Sequence, residues 1–152
     1  MMSVSPASED DLPALCELLG ILFAQEDEFC PAPERQLAGL RAILGSPQVG
    51  QVLVLRDGET VVGMVVLLFL PSTALGGRVA ILEDMVVQPN ARGRGAGARL
   101  LHAAVEFAQS AGCQRVALLT DADNAAAQRF YGRHGFRRSA MIPMRLMLDC
   151  QR

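Results

Sequence analysis

A glycine-rich stretch at residues 92–97 has the residue types and the spacing to bind a phosphate group. It reads Arg92, Gly93, Arg94, Gly95, Ala96 and Gly97. Glycines at alternate positions leave backbone N–H groups uncovered, and the first turn of the helix predicted at 98–111 adds unpaired N–H groups and a positive dipole end. Such a strand–loop–helix junction is suited to hold a phosphate or diphosphate, and the arginines add positive charge.

Two common phosphate-binding motifs do not account for this loop. A Walker loop needs a lysine before Ser or Thr, and the chain contains no lysine. The dinucleotide fingerprint needs a small residue at its third glycine position, where Leu100 stands. The remaining alternative is a turn made flexible by glycine that carries surface arginines.

Two carboxylates, Glu83 and Asp84, interrupt an apolar strand predicted at 79–87. Burying a carboxylate without a partner is costly, so we expect at least one of them to face a polar cleft. In a regular strand, neighbouring side chains point to opposite faces. A cleft carboxylate can attract a cationic substrate and help to remove its proton.

Composition and length indicate one globular domain, residues 1–152. The chain is 51% hydrophobic and 20% charged, which is ordinary for such a domain. The longest apolar run, 61–70, is too short to cross a bilayer as a helix. The N-terminus is acidic and lacks a signal pattern, so we expect a cytoplasmic protein that does not engage the membrane.

Charge and cysteine usage restrict the partners. The first 60 residues hold ten acids and three arginines, whereas 61–152 hold six acids and eleven arginines. This asymmetry suits an anionic ligand on one side and a cationic one on the other. Nucleic-acid binding is not expected, because the arginines are not interleaved with aromatic residues. The cysteines and histidines share no spacing that suits a metal site.

Hydrophobic periodicity and turn residues predict the order βααβββαβαββ. The predicted strands lie near Val4 and at 52–55, 61–70, 79–87, 116–119, 136–140 and 144–148. The predicted helices lie at 12–22, 34–44, 98–111 and 125–134, the last one capped by Asn124. Most of these elements are apolar on one face, so they must pack as a sheet covered by helices.

Two segments together resemble the GNAT superfamily of N-acetyltransferases. Residues 92–97 fit its R/Q-x-x-G-x-G/A signature, between the fourth strand and the third helix. Residues 123–136 resemble its N-x-x-A-x-x-F-Y-x-x-x-G-F segment. The resemblance implies a single α/β (α+β) domain, with a mixed, mostly antiparallel twisted sheet flanked by four helices.

The same resemblance implies acetyl-CoA as the acetyl donor, and no metal. The diphosphate would lie on the amides of 92–97, the pantetheine arm would pair with the fourth strand at 85–87, and Asn124 would hydrogen-bond that arm. The residues so implied for binding acetyl-CoA are Met85, Val86, Val87, Arg92, Gly93, Arg94, Gly95, Ala96, Gly97, Asn124 and Tyr131.

Two catalytic residues follow from the resemblance, Tyr131 and Glu83. Tyr131, the only tyrosine, would protonate the departing thiolate. Glu83 would act beside the acceptor amine as a general base, often through a water, because the attacking amine must be neutral. The alternatives are that Tyr131 only packs its helix, and that Glu83 only binds substrate or pairs with an arginine such as Arg78.

A carboxylate cluster that includes Glu26 and Glu28 precedes a proline-containing loop, which in the family helps to shape the acceptor pocket. With Glu83 and Asp84 it would favour a small cationic amine, although a solvated helix end explains the cluster equally well. We therefore predict acetyl transfer to a primary amine by direct attack in a ternary complex. The alternatives are a protein or peptide N-acetyltransferase and a non-catalytic acyl-CoA-binding sensor. A homodimer that uses 144–148 is suggested by analogy alone.

Overall fold

The computed structural model describes residues 1–25 and 32–148. The chain divides into two compact units, Met1–Leu119 and Thr120–Arg152. The first unit contains the strands β1 (Met2–Pro6), β2 (Gly50–Asp57), β3 (Thr60–Ser72), β4 (Gly77–Val87) and β5 (Val116–Leu118), and the helices α1 (Leu12–Ala24), α2 (Pro33–Leu44) and α3 (Ala96–Ser110). The second unit contains the helix α4 (Ala125–Arg133).

The five strands form one sheet in the order β1-β2-β3-β4-β5. The pairs from β1 to β4 are antiparallel, and β5 lies parallel to β4. This mixed, mostly antiparallel sheet, together with the helices α1–α4, confirms the predicted fold class. None of the helices within the described ranges is long and apolar enough to span a membrane.

The first unit has its core on both faces of the sheet. Val52 and Val54 of β2 belong to a buried cluster with α1 and α2. The alternating residues Leu53 and Leu55 point to the opposite face and are equally buried, and α3 packs against β2, β3 and β4. Burying each such side chain stabilises the fold by about 1.5–3 kcal/mol. Continuous apolar runs rather than strict alternation are what a sheet covered on both faces requires.

An ion pair joins the start of α1 to the sheet. Asp11 is buried, and both of its carboxylate oxygens accept from Nη2 of Arg56 on β2 at 2.9 Å. Its Oδ2 also accepts from the backbone N–H of Ser8 at 2.9 Å. In the sequence, Asp11 is marked only by its position directly before the helix predicted at 12–22. The structure adds that it fixes where the first helix meets β2.

The two strands predicted at 136–140 and 144–148 are not formed, since none of the residues 136–148 belongs to a strand. Alternating apolar residues produce a strand only where a neighbouring strand supplies hydrogen bonds, and periodicity alone does not reveal that neighbour. The large apolar side chains of this segment are exposed instead: Met141, Ile142, Met144, Leu146, Met147 and Leu148.

Candidate active site

The glycine-rich loop connects the end of β4 to the start of α3 and has the geometry of an anion site. Gly93 and Gly95 have φ values of 81° and 74°, which L side chains rarely adopt. Among the described residues, no acceptor is hydrogen-bonded to the backbone N–H groups of 93–98. The Arg92 amide is already used, because it donates to the carbonyl of Pro89 at 3.3 Å. Successive free N–H groups at the positive end of a 15-residue helix form a concavity for anions.

The side chains of Arg92 and Arg94 hold this loop in place. Arg92 Nε donates to the carbonyl of Val87 at 2.9 Å, and Arg94 Nη2 donates to Asp57 Oδ2 at 3.0 Å. The hydrogen bond from Arg94, followed by one from the N-terminal ammonium group, keeps the pKa of Asp57 below its ordinary value. Both guanidinium groups therefore have protein partners, while the free groups of the loop are backbone amides.

A β-bulge interrupts β4 just before the loop. The register pairs Met64 with Val86 and Val66 with Glu83, so β4 contains one more residue than β3 in this interval. Asp84 lies within the bulge and has φ +51°, the one positive value recorded for a non-glycine residue across 1–25 and 32–148. A non-glycine residue in this region is strained, and such strain often marks a functional position.

The bulge determines where the two predicted carboxylates lie. Glu83 is exposed, and it makes no ion pair or hydrogen bond within the described part of the chain. Asp84 is partly buried and lines a cavity of about 260 Å³. The alternative in which Glu83 pairs with Arg78 is not observed: Arg78 stacks on the ring of Phe69 and donates to the Ala111 carbonyl.

The parallel strand β5 pairs with β4 over a short distance. Its three residues pair with Ala80, Ile81 and Leu82, and the strand then ends. Of the residues predicted to pair with pantetheine, Met85 lies within the bulge, and Val86 and Val87 follow it. The predicted cofactor segment of β4 therefore lies beyond the last β5 pair and before the glycine-rich loop.

The cavity beside Asp84 is built from α1, α2 and β4, and brings together residues that sequence reasoning did not select. Its lining residues are Leu19, Phe23, Arg35, Gln36, Gly39, Leu40, Ile43 and Asp84. Arg35 and Gln36 had been assigned only to a helix, and no sequence signal linked them to Asp84. The predicted acceptor carboxylates Glu26 and Glu28 lie outside the described residues. Within those residues, no group of His, Cys, Asp and Glu side chains is arranged to hold a metal ion.

The second unit contains the other two predicted site residues, Asn124 and Tyr131. The side-chain oxygen of Asn124 accepts from the Ala127 amide at 3.0 Å and caps α4. The amide nitrogen of Asn124 is thus the part of its side chain that suits a second hydrogen bond. Gln128 fixes the segment before the helix by donating to the carbonyls of Asp121 and Ala122. That role was not predicted, since it depends on the bent path of residues 121–124.

Tyr131 lies two helical turns after Asn124, about 10 Å along the axis and on the same side of the helix. Its ring makes edge-to-face contacts with Phe130 and Phe136, at centroid distances of 5.3 and 5.7 Å. Burial raises the pKa of the phenol above its ordinary value. A phenol in this environment keeps its proton at neutral pH, as a proton donor must.

Comparison with known proteins gives concordant matches. The model of the acetyltransferase (GNAT) family matches residues 12–136. Aminoalkylphosphonate N-acetyltransferase of Salmonella typhimurium is 37% identical over 101 residues, which are 66% of this chain and 65% of that protein. Glucosamine 6-phosphate N-acetyltransferase of Trypanosoma brucei brucei is 33% identical over 130 residues, 85% of this chain and 84% of that one.

The match to the Salmonella relative thus spans less than two thirds of that protein's length, and three further curated relatives match over 26–40% of theirs. Among solved structures, an integron cassette protein from the mobile metagenome of Cole Harbour Salt Marsh has a TM-score of 0.84 and 28% identity. This superposition covers 97% of the present chain and 91% of the other.

Proposed function

The chain belongs to the acetyltransferase (GNAT) family, and we propose that it transfers an acetyl group from acetyl-CoA to the primary amine of a small molecule. The family match confirms the membership predicted from the two motifs. The observation that carries the proposal is the set of free amides at 93–98, at the positive end of α3 and directly after β4. These groups suit the diphosphate of CoA.

The other residues proposed to hold acetyl-CoA are the backbone of Met85, Val86 and Val87 and the side-chain amide of Asn124. The bound co-substrate supplies an acetyl group activated as a thioester. Backbone N–H donors aimed at the carbonyl oxygen stabilise the charge that develops there, and holding the amine close to the acetyl carbon lowers the barrier further.

Proton movement is assigned to Glu83 and Tyr131. Glu83 is exposed and has no partner in the described part of the chain, so its carboxylate can accept a proton from the ammonium form of the acceptor, directly or through water. Tyr131 keeps its phenolic proton because burial raises its pKa, and it delivers that proton to the departing sulfur.

The acceptor is proposed to be a small molecule. The cavity beside Asp84, at about 260 Å³, lies just below the range of about 300–1,000 Å³ typical of ligand pockets. Two relatives are named for small acceptors that carry both an amine and an anionic group, an aminoalkylphosphonate and glucosamine 6-phosphate. A homodimer and a cytoplasmic location stay predictions, as does the organisation of 1–152 as one domain.

Release of free thiol from acetyl-CoA, measured over a panel of primary amines and short peptides, tests the proposal. Amine-dependent release is the expected result. Release with peptides alone would favour the protein or peptide acetyltransferase. CoA binding without release for any amine would favour the non-catalytic sensor and would contradict the proposed activity.

A further inference from the structure

The side-chain amide of Gln36 indicates that the cavity beside Asp84 binds a ligand. Its Nε2 atom is buried and has no hydrogen-bond partner among the residues that the structure describes. An unpaired buried donor costs about 1–3 kcal/mol, and native proteins contain few of them. Gln36 lines the 260 Å³ cavity between α1, α2 and β4. Because this atom is closed off from solvent, a turn of the Gln36 side chain toward the cavity would let a ligand atom with a lone pair supply the missing partner.

Arg35 gives that part of the cavity a positive charge. It precedes Gln36 on α2 and lines the same cavity. Its guanidinium makes no ion pair, hydrogen bond or ring contact within the described residues. A guanidinium presents a planar set of donors that matches a carboxylate, phosphonate or phosphate group. Arg35 and Gln36 together therefore suit the anionic end of a ligand.

Asp84 gives the cavity its opposite charge. Among the described residues that line the cavity, Asp84 is the only acid, and the other side chains are mainly apolar, such as Leu19, Leu40 and Ile43. The β-bulge and the positive φ of Asp84 place this carboxylate on the cavity wall rather than in a regular strand. Asp84 directly precedes the backbone proposed to pair with pantetheine, so an ammonium group bound there would lie close to that segment.

We propose that the acceptor is a zwitterionic amine, whose ammonium group faces Asp84 and whose anionic group is held by Arg35 and Gln36. This inference rests on the proposed acetyl transfer and narrows its substrate. Apolar walls between the two charged ends suit a short carbon chain linking amine and anion. A purely cationic polyamine would place positive charge beside the guanidinium of Arg35, which has no ion-pair partner in the described part of the chain.

The test compares four primary amines of similar length. β-Alanine, 2-aminoethylphosphonate and O-phosphoethanolamine carry an anionic group, and propylamine does not. Thiol release is measured at saturating acetyl-CoA for the wild type and for Arg35→Gln, Gln36→Leu and Arg41→Gln. Arg41 is an exposed arginine of the same helix that does not line the cavity, so its variant is the matched control.

We expect at least one anionic amine to exceed propylamine by about tenfold or more in kcat/KM, and the preferred anion identifies the acidic group. Arg35→Gln should raise the KM for that amine by about tenfold, as loss of a charge-assisted hydrogen bond predicts, and Gln36→Leu should raise it less. The KM for propylamine and for acetyl-CoA should not change in either variant. Arg41→Gln should behave as the wild type.

Equal use of propylamine and the anionic amines by the wild type would overturn the inference while leaving acetyl transfer intact. Calorimetric binding of the amines in the presence of CoA gives a readout that needs no turnover. If no amine releases thiol, the proposed function fails. Binding of an anionic amine that is weakened in Arg35→Gln but not in Arg41→Gln would still support the cavity assignment, and absence of such binding would refute it.

Discussion

Replacing Gly95 with alanine should weaken CoA binding by more than its effect on folding can explain. Gly95 has φ +74°, and no atom of the described residues lies within 4 Å of the position that a Cβ would occupy. Alanine therefore fits without a clash, but it must hold a left-handed conformation that costs an L-residue about 1–2 kcal/mol. For a chain of this length that corresponds to a fall in Tm of about 2–8 °C.

Gly112, after the C-terminal end of α3, provides a matched control. It has φ +82° and equally open surroundings in the described structure, so Gly112→Ala should cost the same backbone strain. Because α3 has 15 residues, its two ends lie about 22 Å apart. The control position is therefore far from the amides of 93–98, and its variant should retain the affinity of the wild type for CoA.

The two variants introduce the same methyl group and the same backbone strain. They differ in whether the substituted glycine lies at the proposed diphosphate site. A methyl group on Gly95 covers part of the amide surface, and relief of the strain would rotate the neighbouring N–H groups away from a common point. We expect the Kd for CoA, measured by calorimetry, to rise by about tenfold or more in Gly95→Ala and by less than about twofold in Gly112→Ala. Thermal unfolding without ligand checks that both variants lose similar stability. Equal CoA affinity in the two variants would refute the assignment of the diphosphate to this loop.

Three other substitutions test separate parts of the argument. Tyr131→Phe should lower turnover by about 10–100-fold with little change in the Kd for acetyl-CoA. Because burial raises the pKa of this phenol, the wild-type rate should not fall through its ionisation until the pH exceeds about 10. Glu83→Gln should change the shape of the pH–rate profile, because it removes the proposed general base. Asp11→Ala should lower the free energy of unfolding in urea by about 3 kcal/mol, since it leaves Arg56 unpaired. The exposed neighbouring acid provides the control Asp10→Ala, with an effect below about 0.5 kcal/mol.

The outcomes that would contradict these expectations are distinct. Unchanged turnover in Tyr131→Phe removes the phenol from the mechanism. A pH–rate profile of the same shape in Glu83→Gln reduces Glu83 to a substrate-binding role. Equal unfolding free energies for Asp11→Ala and Asp10→Ala would show that the ion pair with Arg56 contributes no net stability.

Local sequence patterns determined most of the elements. Helical periodicity placed α1 and α3, apolar runs placed β2, β3 and β4, and Asn124 caps α4 as predicted. These features depend on residues a few positions apart, so a single sequence contains the information. Because periodicity is a local signal, it also led to the wrong prediction of strands at 136–140 and 144–148. The apolar pattern is present there, but no strand of the described residues pairs with it.

The candidate site likewise contains some features that the sequence predicted and others that only the structure revealed. The glycines of the anion-binding loop could be recognised in the sequence, because left-handed backbone positions and uncovered amides require glycine itself. The pairing of Arg94 with Asp57, 37 residues apart, could not, since it depends on where the loop lies relative to the end of β2. Sequence reasoning directed both arginines at the ligand, and the structure adds that each guanidinium also has a protein partner that holds the loop.

The sequence by itself predicted an anion-binding corner after β4 and determined that carboxylates interrupt this strand. Only the tertiary structure decided which carboxylate enters a cavity and what else lines it. Glu83 is exposed, whereas Asp84, which lies within the one-residue bulge of β4, lines the same cavity as Arg35 and Gln36. The physical reason is that a bulge bends the strand locally and redirects the side chain within it. The register of β4 is set by pairing with a distant strand rather than by the neighbouring residues.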